Sequence, residues 1–334
     1  MSTATARADA RRRLLRCLAA GTAALAVPTL RAENHDWPQR PLRLVVGFPG
    51  GSSADDIART LADPLAAVLG QPVVVENRPG SGGLLAARQV AQADDDHLLG
   101  LLLNLHLTVA PWLHPEVGYD PARDLQPVGA AASTPLLLCA SPELPQRGVE
   151  LLRTVRLAGS AWRYGSPGVG TPFHLAMELL KTRAGWATEH LAYPGNPQVV
   201  NALLAGDVQL ALLPPALVLP LWRQGKLPVL GGTAPGVEVL LPGVPELDEL
   251  GLRGFVYDHW YALAAPRVWS PVAVSRLGRA LRHVLRQPVV QATLRRQGWL
   301  PGGGDAAALA RRIAAQVQQL RPLLERQPPW RMPT

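Results

Sequence analysis

Apolar and polar positions along the chain predict a regular alternation of strands and helices. The runs at 42–46 and 98–103 are short and almost wholly apolar, as expected of buried strands. After the first run, Ile57, Leu61 and Leu65 recur at helical spacing, which predicts an amphipathic helix. Further strands are predicted at 73–75, 136–140, 162–165, 190–192, 208–213, 229–230 and 260–265, and further helices at 83–93, 149–157, 171–183, 197–205, 271–285 and 305–324. Alternation of this kind is typical of an α/β fold with a mostly parallel sheet.

A glycine-rich turn joins the first strand to the first helix. Residues 49–53 supply the turn, and Ser53 or Asp55 can cap the helix. The first turn of a helix carries unpaired N–H groups and a partial positive charge, so a small anion can bind there without an arginine. The turn lacks the Lys-Ser/Thr pair of a P-loop and the Gly-x-Gly-x-x-Gly spacing of a dinucleotide fold. It is therefore either an anion site or a plain connector.

A second unit of strand, glycine loop and helix lies at 164–174. Thr171 is the expected N-cap, and His174 follows one turn into the helix. Ser166 resembles the nucleophile of a hydrolase, but Tyr164 stands where the nucleophile elbow needs glycine. His174 is accordingly either a hydrogen-bonded structural histidine or a catalytic base that lacks an orienting acid in the sequence.

Composition and charge exclude several classes of function. Of 334 residues, 48% are hydrophobic and 17% are charged, which is typical of folded domains. The formal charge is +8, but six arginines and one aspartate lie within residues 1–32, which leaves 27 basic and 24 acidic residues elsewhere. No strong field remains to attract a nucleic acid, and the tryptophans are not interleaved with basic residues.

The sequence predicts no metal site and no cofactor. His97, His106 and His114 are nine and eight residues apart, a spacing that fits no metal site. Beyond the N-terminal segment Cys139 is the only cysteine, so no disulfide is expected.

The N-terminus has the pattern of an export signal. Arginines at 11–13 and 16 precede an apolar run at 17–27, and Ala32 offers a small residue for cleavage. The apolar run is about half the ~20 residues that a membrane-spanning helix needs. We therefore expect residues 1–32 to be a signal peptide and the mature protein to be periplasmic. The Arg11-Arg12 pair fits the twin-arginine pathway, and arginine-rich Sec signals look similar.

Two strings in the chain carry a specific family signal, Glu76-Asn-Arg-Pro-Gly80 and Gly170-Thr-Pro-Phe-His-Leu-Ala-Met-Glu-Leu179. Shorter matches accompany them at 37–38, 41–48, 51, 55, 119–121, 193, 195, 203–208 and 260–261. With these motifs the mature chain resembles the substrate-binding proteins of tripartite tricarboxylate transporters, the Bug (Bordetella uptake gene) family.

The resemblance implies a two-lobed periplasmic-binding-protein fold of type II, the Venus-flytrap fold, with two crossing segments and a ligand between the lobes. Lobe I is expected at 36–130 plus 255–334, and lobe II at 131–254. The resemblance implies ligand-binding residues and no catalytic residue, so the protein is not expected to be an enzyme. The expected ligand-binding residues are Phe48, Gly51, Ser52, Ser53, Asp55, Asn104, Ser166, Gly168, Gly170, Thr171, His174, Tyr193 and Gly195.

Several positions depart from the family pattern and make the expected cleft less polar. Residues 101–107 are apolar apart from Asn104 and His106, where the family is rich in Thr, Gly and Ser. Polar family residues are also replaced at Leu84, Ala110 and Pro194. A monocarboxylate or dicarboxylate, with an aromatic acid as one option, is therefore expected rather than a citrate-like ligand. A chain that has lost its ligand stays an alternative.

The resemblance also implies partners for the protein. These are the organic acid and the membrane subunits of a tripartite tricarboxylate transporter, with the receptor itself acting as a monomer. Two alternatives stay open at this point: a sensor component that presents the ligand to a membrane kinase, and a serine hydrolase that uses Ser166 or Ser52 with His174.

Overall fold

The computed structural model describes residues 37–145 and 148–325 of the chain. Within these ranges the strands are β1 Leu42–Val46, β2 Val73–Asn77, β3 Leu98–Leu103, β4 Leu125–Pro135, β5 Leu137–Ala140, β6 Arg163–Ser166, β7 Glu189–Ala192, β8 Leu210–Leu213, β9 Val229–Gly232, β10 Asp258–Pro266 and β11 Leu300–Pro301. The α-helices are α1 Ser53–Leu69, α2 Leu84–Ala91, α3 Asn104–Thr108, α4 Ala110–Leu113, α5 Pro121–Asp124, α6 Gly148–Ala158, α7 Pro172–Ala184, α8 Asn196–Leu204, α9 Pro215–Arg223, α10 Val237–Leu240, α11 Pro271–Leu285, α12 Pro288–Arg296 and α13 Ala306–Glu325.

The strands form two mixed sheets. The first has the order β11-β4-β10-β3-β1-β2, and the second has the order β7-β6-β8-β5-β9. We call the first sheet with its helices lobe I and the second with its helices lobe II. Strand β1 pairs in parallel with β2 and β3, and β6 pairs in parallel with β7 and β8. The two-lobed α/β fold is thus confirmed, while the exact lobe boundaries stay a prediction.

The expectation of mostly parallel sheets is wrong for the strands next to the lobe crossings. Strand β10 is antiparallel to β3 and β4, β4 is antiparallel to β11, and β5 is antiparallel to β8 and β9. The physical reason is that β4 leads out of lobe I, β5 enters lobe II and β10 returns. Strands β5 and β10 therefore run against the direction that the βαβ units of their sheets set, whereas β4, which is antiparallel to β10, runs in the same direction as β3.

Thr233 ties the two crossings between the lobes together. Its backbone N–H donates to the Leu136 carbonyl at 2.9 Å, and its carbonyl accepts the Tyr257 N–H at 2.8 Å. Its hydroxyl accepts the Leu136 N–H at 2.8 Å and donates to the Tyr257 carbonyl at 2.5 Å. Thr233 is completely buried. One residue at the end of β9 thus forms four hydrogen bonds to the outgoing and the returning segment.

The last helix, α13, packs against both lobes. Leu309 belongs to the core of lobe I, whereas Leu320 and Leu323 belong to the core of lobe II. Arg312, midway along α13, forms an ion pair with Asp258 at the start of β10. The helix therefore holds the returning strand at the junction of the lobes. No helix in the described ranges is long and apolar enough to cross a membrane.

Most elements lie within a few residues of the bounds predicted from the sequence. The bounds of β1, β3 and α11 agree with the prediction. Strands β4 and β11 and helices α3, α4, α5, α9, α10 and α12 were not predicted. The expected signal peptide at 1–32 lies outside the described residues.

Candidate ligand-binding site

The first loop, Phe48 to Ser53, is held in shape by the carboxylate of Asp55. Asp55 Oδ2 accepts the Gly51 N–H and the Arg59 Nε–H, both at 2.9 Å. Oδ1 accepts from Asn77 Nδ2 at 3.0 Å. The Arg59 hydrogen bond lowers the pKa of Asp55 to about 2, so the carboxylate stays ionised. Because both oxygens are engaged inside lobe I, Asp55 shapes the loop.

The second loop, Ser166 to Thr171, is held by its own side chains and by His174. Thr171 Oγ1 donates to the Gly168 carbonyl at 2.7 Å and accepts the His174 N–H at 3.4 Å, which caps α7. His174 Nδ1 accepts the Gly170 N–H at 3.2 Å. Burial lowers the pKa of His174 to about 3, so the ring is neutral and Nδ1 can accept. Gly170 has a φ of 77°, a left-handed conformation that favours glycine.

These internal hydrogen bonds leave a small set of backbone donors at the two helix starts. Within the described part of the chain, no acceptor is bonded to the N–H groups of Ser53 and Ala54 in the first turn of α1. The same holds for Val169 and Phe173 at the start of α7. Such donors lie at the positive ends of the helix dipoles, where an anion is favoured. Each lobe therefore presents a helix start whose backbone donors have no acceptor among the described residues.

Five rings form a row from the first loop of lobe I to the start of α7 in lobe II. Phe48, in the first loop, contacts Tyr261 edge-on with ring centroids 6.3 Å apart. Tyr261 lies 5.5 Å from His259, and His259 lies 5.7 Å from Phe173 in the first turn of α7. Trp299 lies 5.5 Å from both His259 and Tyr261. We call this continuous row of rings, which leads from the first loop to the start of α7, the ring wall.

Of the ring wall, only Phe48 was among the predicted site residues. A signal for two others was present in the sequence. Tyr261 lies in the strand predicted at 260–265 and His259 directly precedes that strand, so in an extended chain the two side chains share one face. Which face points to the loops depends on the pairing of β10 with β3 and β4, which sequence reasoning did not supply.

Buried polar atoms next to the ring wall lack partners within the described residues. His106 stacks against Phe48 at 6.4 Å and shares a hydrogen bond of 2.9 Å between Nε2 and the Gly82 carbonyl. Because a carbonyl only accepts, the proton must be on Nε2. Burial lowers the pKa of His106 to about 4, so its Nδ1 carries no proton and is an acceptor without a donor. The Nδ1 of His259 is also buried without a partner.

The remaining predicted residues fall around these two loops. Ser52 Oγ accepts an N–H of the first turn of α1 at 3.3 Å, as the N-cap. Tyr193 donates its N–H to the Ser166 carbonyl at 2.9 Å, and Gly195 is the N-cap of α8. Asn104 is fully buried and donates to Gln316 of α13 at 3.3 Å, which leaves its Oδ1 without a partner. Whether each residue contacts a ligand stays a prediction.

Comparison with known proteins identifies the family. The chain matches the family model TctC, "Tripartite tricarboxylate transporter family receptor", over residues 57–328. It is 32% identical to Protein BugT of Bordetella pertussis over 283 residues, which cover 84% of this chain and 86% of BugT. The chain belongs to the tripartite tricarboxylate transporter receptor family. Recognition of the Bug family from the sequence motifs is thereby confirmed.

Solved receptors of similar fold include two with bound acids. R. palustris Rpa4515 with adipate is 29% identical and has a TM-score of 0.74, with 86% of this chain and 97% of that chain covered. MatC from Rhodopseudomonas palustris with bound malate is 28% identical and has a TM-score of 0.71, with 86% and 100% covered. Proteins of this receptor family are periplasmic binding proteins.

Ser166 has a different histidine partner from the one that the hydrolase alternative assumed. Its Oγ lies 2.7 Å from Nε2 of His190 on β7, whereas His174 Nδ1 accepts from the Gly170 backbone. Burial lowers the pKa of His190. The carboxylate of Glu178 on α7 accepts from the Tyr164 hydroxyl at 2.5 Å and pairs with Lys181. The pairing of Ser166 with His174 is thus corrected, and no orienting acid is bonded to His190 in the described residues.

One group of side chains in the described ranges has the composition of a metal site. Ligand atoms of Asp95, Asp96 and His97 lie within 4.8 Å of one another. Arg40 donates to Asp95 Oδ1 at 2.6 Å, and the His97 N–H donates to the same oxygen at 2.8 Å. The guanidinium thus already supplies a positive partner for Asp95, and the group belongs to the turn that leads into β3.

Proposed function

We propose that this chain is a periplasmic solute receptor that binds one small organic acid between its lobes and, as a monomer, delivers it to the membrane subunits of a tripartite tricarboxylate transporter. The observation that carries the proposal is the pair of helix starts in α1 and α7, each with backbone donors free of protein partners. The acids bound by Rpa4515 and MatC support a carboxylate as the ligand class.

Backbone dipoles, with no side-chain cation, hold the carboxylate in this proposal. Neither 48–53 nor 166–171 contains a lysine or an arginine. Arg59, in the second turn of α1, is paired with Asp55. Each helix start supplies about half a positive charge, so the two together offset about one negative charge. One carboxylate, or two with the second reaching solvent, therefore suits the site better than three.

The ring wall and His106 define the rest of the ligand. Phe48, Tyr261, Trp299 and Phe173 offer an apolar surface against which an aliphatic or aromatic body packs. His106 Nδ1 is an acceptor without a donor, and leaving such a buried atom unpaired costs about 1–3 kcal/mol. A hydroxyl group on the ligand can donate a hydrogen bond to His106 Nδ1. A carboxylate oxygen cannot, because it is itself only an acceptor. We therefore expect hydroxy acids to bind better than the same acids without the hydroxyl.

Calorimetric titration of the mature protein tests the binding mechanism. The panel is adipate, malate, succinate, benzoate and citrate. We expect binding of one or more of the mono- and dicarboxylates, malate above succinate, and citrate weakest. Tight citrate binding, or no binding across the panel, contradicts the proposed site.

Two glycine variants distinguish the loss of the binding site from a general effect of backbone strain on the protein. Gly170→Val should abolish binding, because a β-branched residue cannot adopt the observed φ of 77° without distorting the loop. Gly225→Val is the matched control, since Gly225 has a similar φ of 67° in the turn before β9 and open space around it. Thr171→Ala should weaken binding by about tens-fold at most, because its two hydrogen bonds within the loop are lost while the backbone donors remain. Full affinity in Gly170→Val rules out this account.

Delivery and location need tests in cells. Deletion of the gene should abolish uptake of the radiolabelled ligand, and complementation should restore it. Unchanged uptake together with a lost transcriptional response to the ligand would favour the sensor alternative. Fractionation should place the protein in the periplasm, and Arg11→Lys with Arg12→Lys should block export if the signal is of the twin-arginine type.

A further inference from the structure

A concave site lies on the surface of lobe II, away from the two helix starts. It has a volume of about 530 Å³ and is formed by α6, the end of α7 with Trp186, and the turn at 250–253. Four arginines line it, Arg153, Arg156, Arg183 and Arg253, and we call it the arginine pocket. None of its lining residues belongs to the two loops or to the ring wall.

Local structure explains how the arginines come together. Arg156 is close to both Leu152 and Arg153 on the surface of α6, because it follows them by four and three residues. Arg183, in the last turn of α7, donates from Nε and Nη2 to the Arg253 carbonyl at 3.1 and 2.7 Å. Gly254 permits this approach, since a Cβ there would lie 2.6 Å from Arg183 Nη2. The Arg183 guanidinium is therefore fixed at the pocket by backbone contacts.

The four positive charges have no carboxylate partner in the part of the chain that the structure describes. Among the described residues, no Asp or Glu oxygen lies within 4.0 Å of these guanidinium nitrogens. No acidic residue lines the pocket. Asp248, beside the turn, accepts the Gly254 N–H at 2.5 Å. Like charges gathered around one concavity raise the local potential, and a bound anion relieves their repulsion.

The floor of the arginine pocket is apolar. Leu152 and Trp186 are buried, each 7% exposed, and Leu250 and Leu252 are partly buried. Guanidinium groups are planar and bind oxyanions such as phosphate through paired N–H donors. A rim of arginines over an apolar floor therefore matches a molecule that joins an oxyanion to a hydrocarbon or aromatic group.

We propose that the arginine pocket binds a phosphate-type oxyanion carried on an apolar group, either a soluble organic phosphate or the head group of an anionic phospholipid. This site is separate from the proposed cleft, so it does not depend on the identity of the transported acid.

Two binding assays on the mature protein test the proposal and distinguish the two sources. Calorimetric titration uses phenyl phosphate, with inorganic phosphate as the probe that lacks the apolar group. Vesicle sedimentation uses phosphatidylcholine with and without phosphatidylglycerol. We expect saturable binding of phenyl phosphate, of phosphatidylglycerol vesicles, or of both, weakened by added salt because the contacts are ionic.

Variants of the arginine pocket supply the decisive comparison. Arg153→Gln with Arg156→Gln should weaken binding by about 10-fold or more, because two charge-assisted contacts are lost. Arg253→Gln should act in the same direction while keeping its backbone carbonyl for Arg183. Arg295→Gln with Arg296→Gln is the control, since it removes two exposed arginines from α12 and changes the net charge equally.

Each outcome decides the question. Binding only to vesicles assigns the pocket to a lipid head group, and binding only to phenyl phosphate assigns it to a soluble phosphate. Absence of binding to both probes overturns the proposal. Equal losses in the pocket variants and in the α12 control also overturn it, because they would show a general charge effect. Titration of the cleft ligand should give the same affinity in pocket variants as in the parent protein.

Discussion

Replacing Thr233 with valine should reveal how strongly the two lobe crossings are joined. Valine has nearly the shape of threonine, so the substitution removes the hydroxyl with little change in packing. Two hydrogen bonds disappear: the Leu136 N–H loses its acceptor at 2.8 Å, and the Tyr257 carbonyl loses its donor at 2.5 Å. The backbone bonds of Thr233 to the same two residues are retained.

The expected loss follows from the burial of all three residues, none of which is more than 1% exposed. A buried polar group left without a partner costs about 1–3 kcal/mol, and two such groups are created. We expect the free energy of unfolding to fall by about 2–4 kcal/mol, with relaxation limiting the upper end. That is a large share of the roughly 5–15 kcal/mol by which folded proteins are stable.

Urea unfolding followed by circular dichroism measures this loss, and Thr233→Ser is the matched control. Serine keeps the hydroxyl and removes one buried methyl group, so it should cost only about 1 kcal/mol. A Thr233→Val variant as stable as the parent protein would refute the reasoning. So would a serine variant that is as damaged as the valine variant, because the methyl group would then carry the effect.

Three further predictions concern acid stability and catalysis. A histidine that is buried and neutral in the folded protein becomes protonated in the unfolded chain when the pH falls below about 6.5. Acidification from pH 7 to 5 should therefore lower the free energy of unfolding by about 2 kcal/mol for each such histidine. Burial lowers the pKa of His259 to about 3, so His259→Phe, which keeps the ring packing, should show a shallower decline in urea titrations at the two pH values. The pKa of Asp55 is about 2 in the folded protein, compared with an ordinary value of 3.8. The ionised carboxylate therefore stabilises the folded protein above pH 4, and this contribution is lost as the pH falls toward 2. The free energy of unfolding of Asp55→Asn should be about 1–2 kcal/mol lower than that of the parent protein at pH 7, without the loss toward pH 2. The mature protein should hydrolyse neither esters nor amides, and turnover that disappears in Ser166→Ala would contradict the receptor assignment.

Much of the fold can be predicted from local sequence, but strand β4 of lobe I cannot. Strands β1 and β3 are apolar runs that are buried almost throughout, and α11 begins with a capping serine followed by proline in its first turn. Strand β4 contains Gln126, two prolines and Gly129, which break any alternation. It forms because β10 pairs along it from end to end, with two register shifts that accommodate the irregular positions.

The site shows the same division between local and long-range information. The two glycine loops and their capping residues could be read from sequence, because a turn and its helix start are neighbours in the chain. The contact between Ser166 and His190 could not, because it arises from the parallel pairing of β6 with β7. The internal role of Asp55 has a local signal in the sequence, since Arg59 follows four residues later on the same helix face.

Two groups of residues in the proposed site should affect ligand specificity differently. The polar side chains nearest the loops are engaged within the protein, Asp55 with the Gly51 N–H and His174 with the Gly170 N–H. Substitutions there change the loop that every carboxylate must use, so they should lower all affinities by similar factors. Within residues 37–145 and 148–325, no hydrogen bond joins the side chain of His106 or of a ring-wall residue to a loop amide, and in the proposed complex these side chains face the body of the ligand. Substitutions at those positions should therefore change the ratio of the affinities for different ligands. On this argument the ring wall and His106 determine which acid is bound, and the backbone amides of the glycine loops determine how tightly any carboxylate is bound.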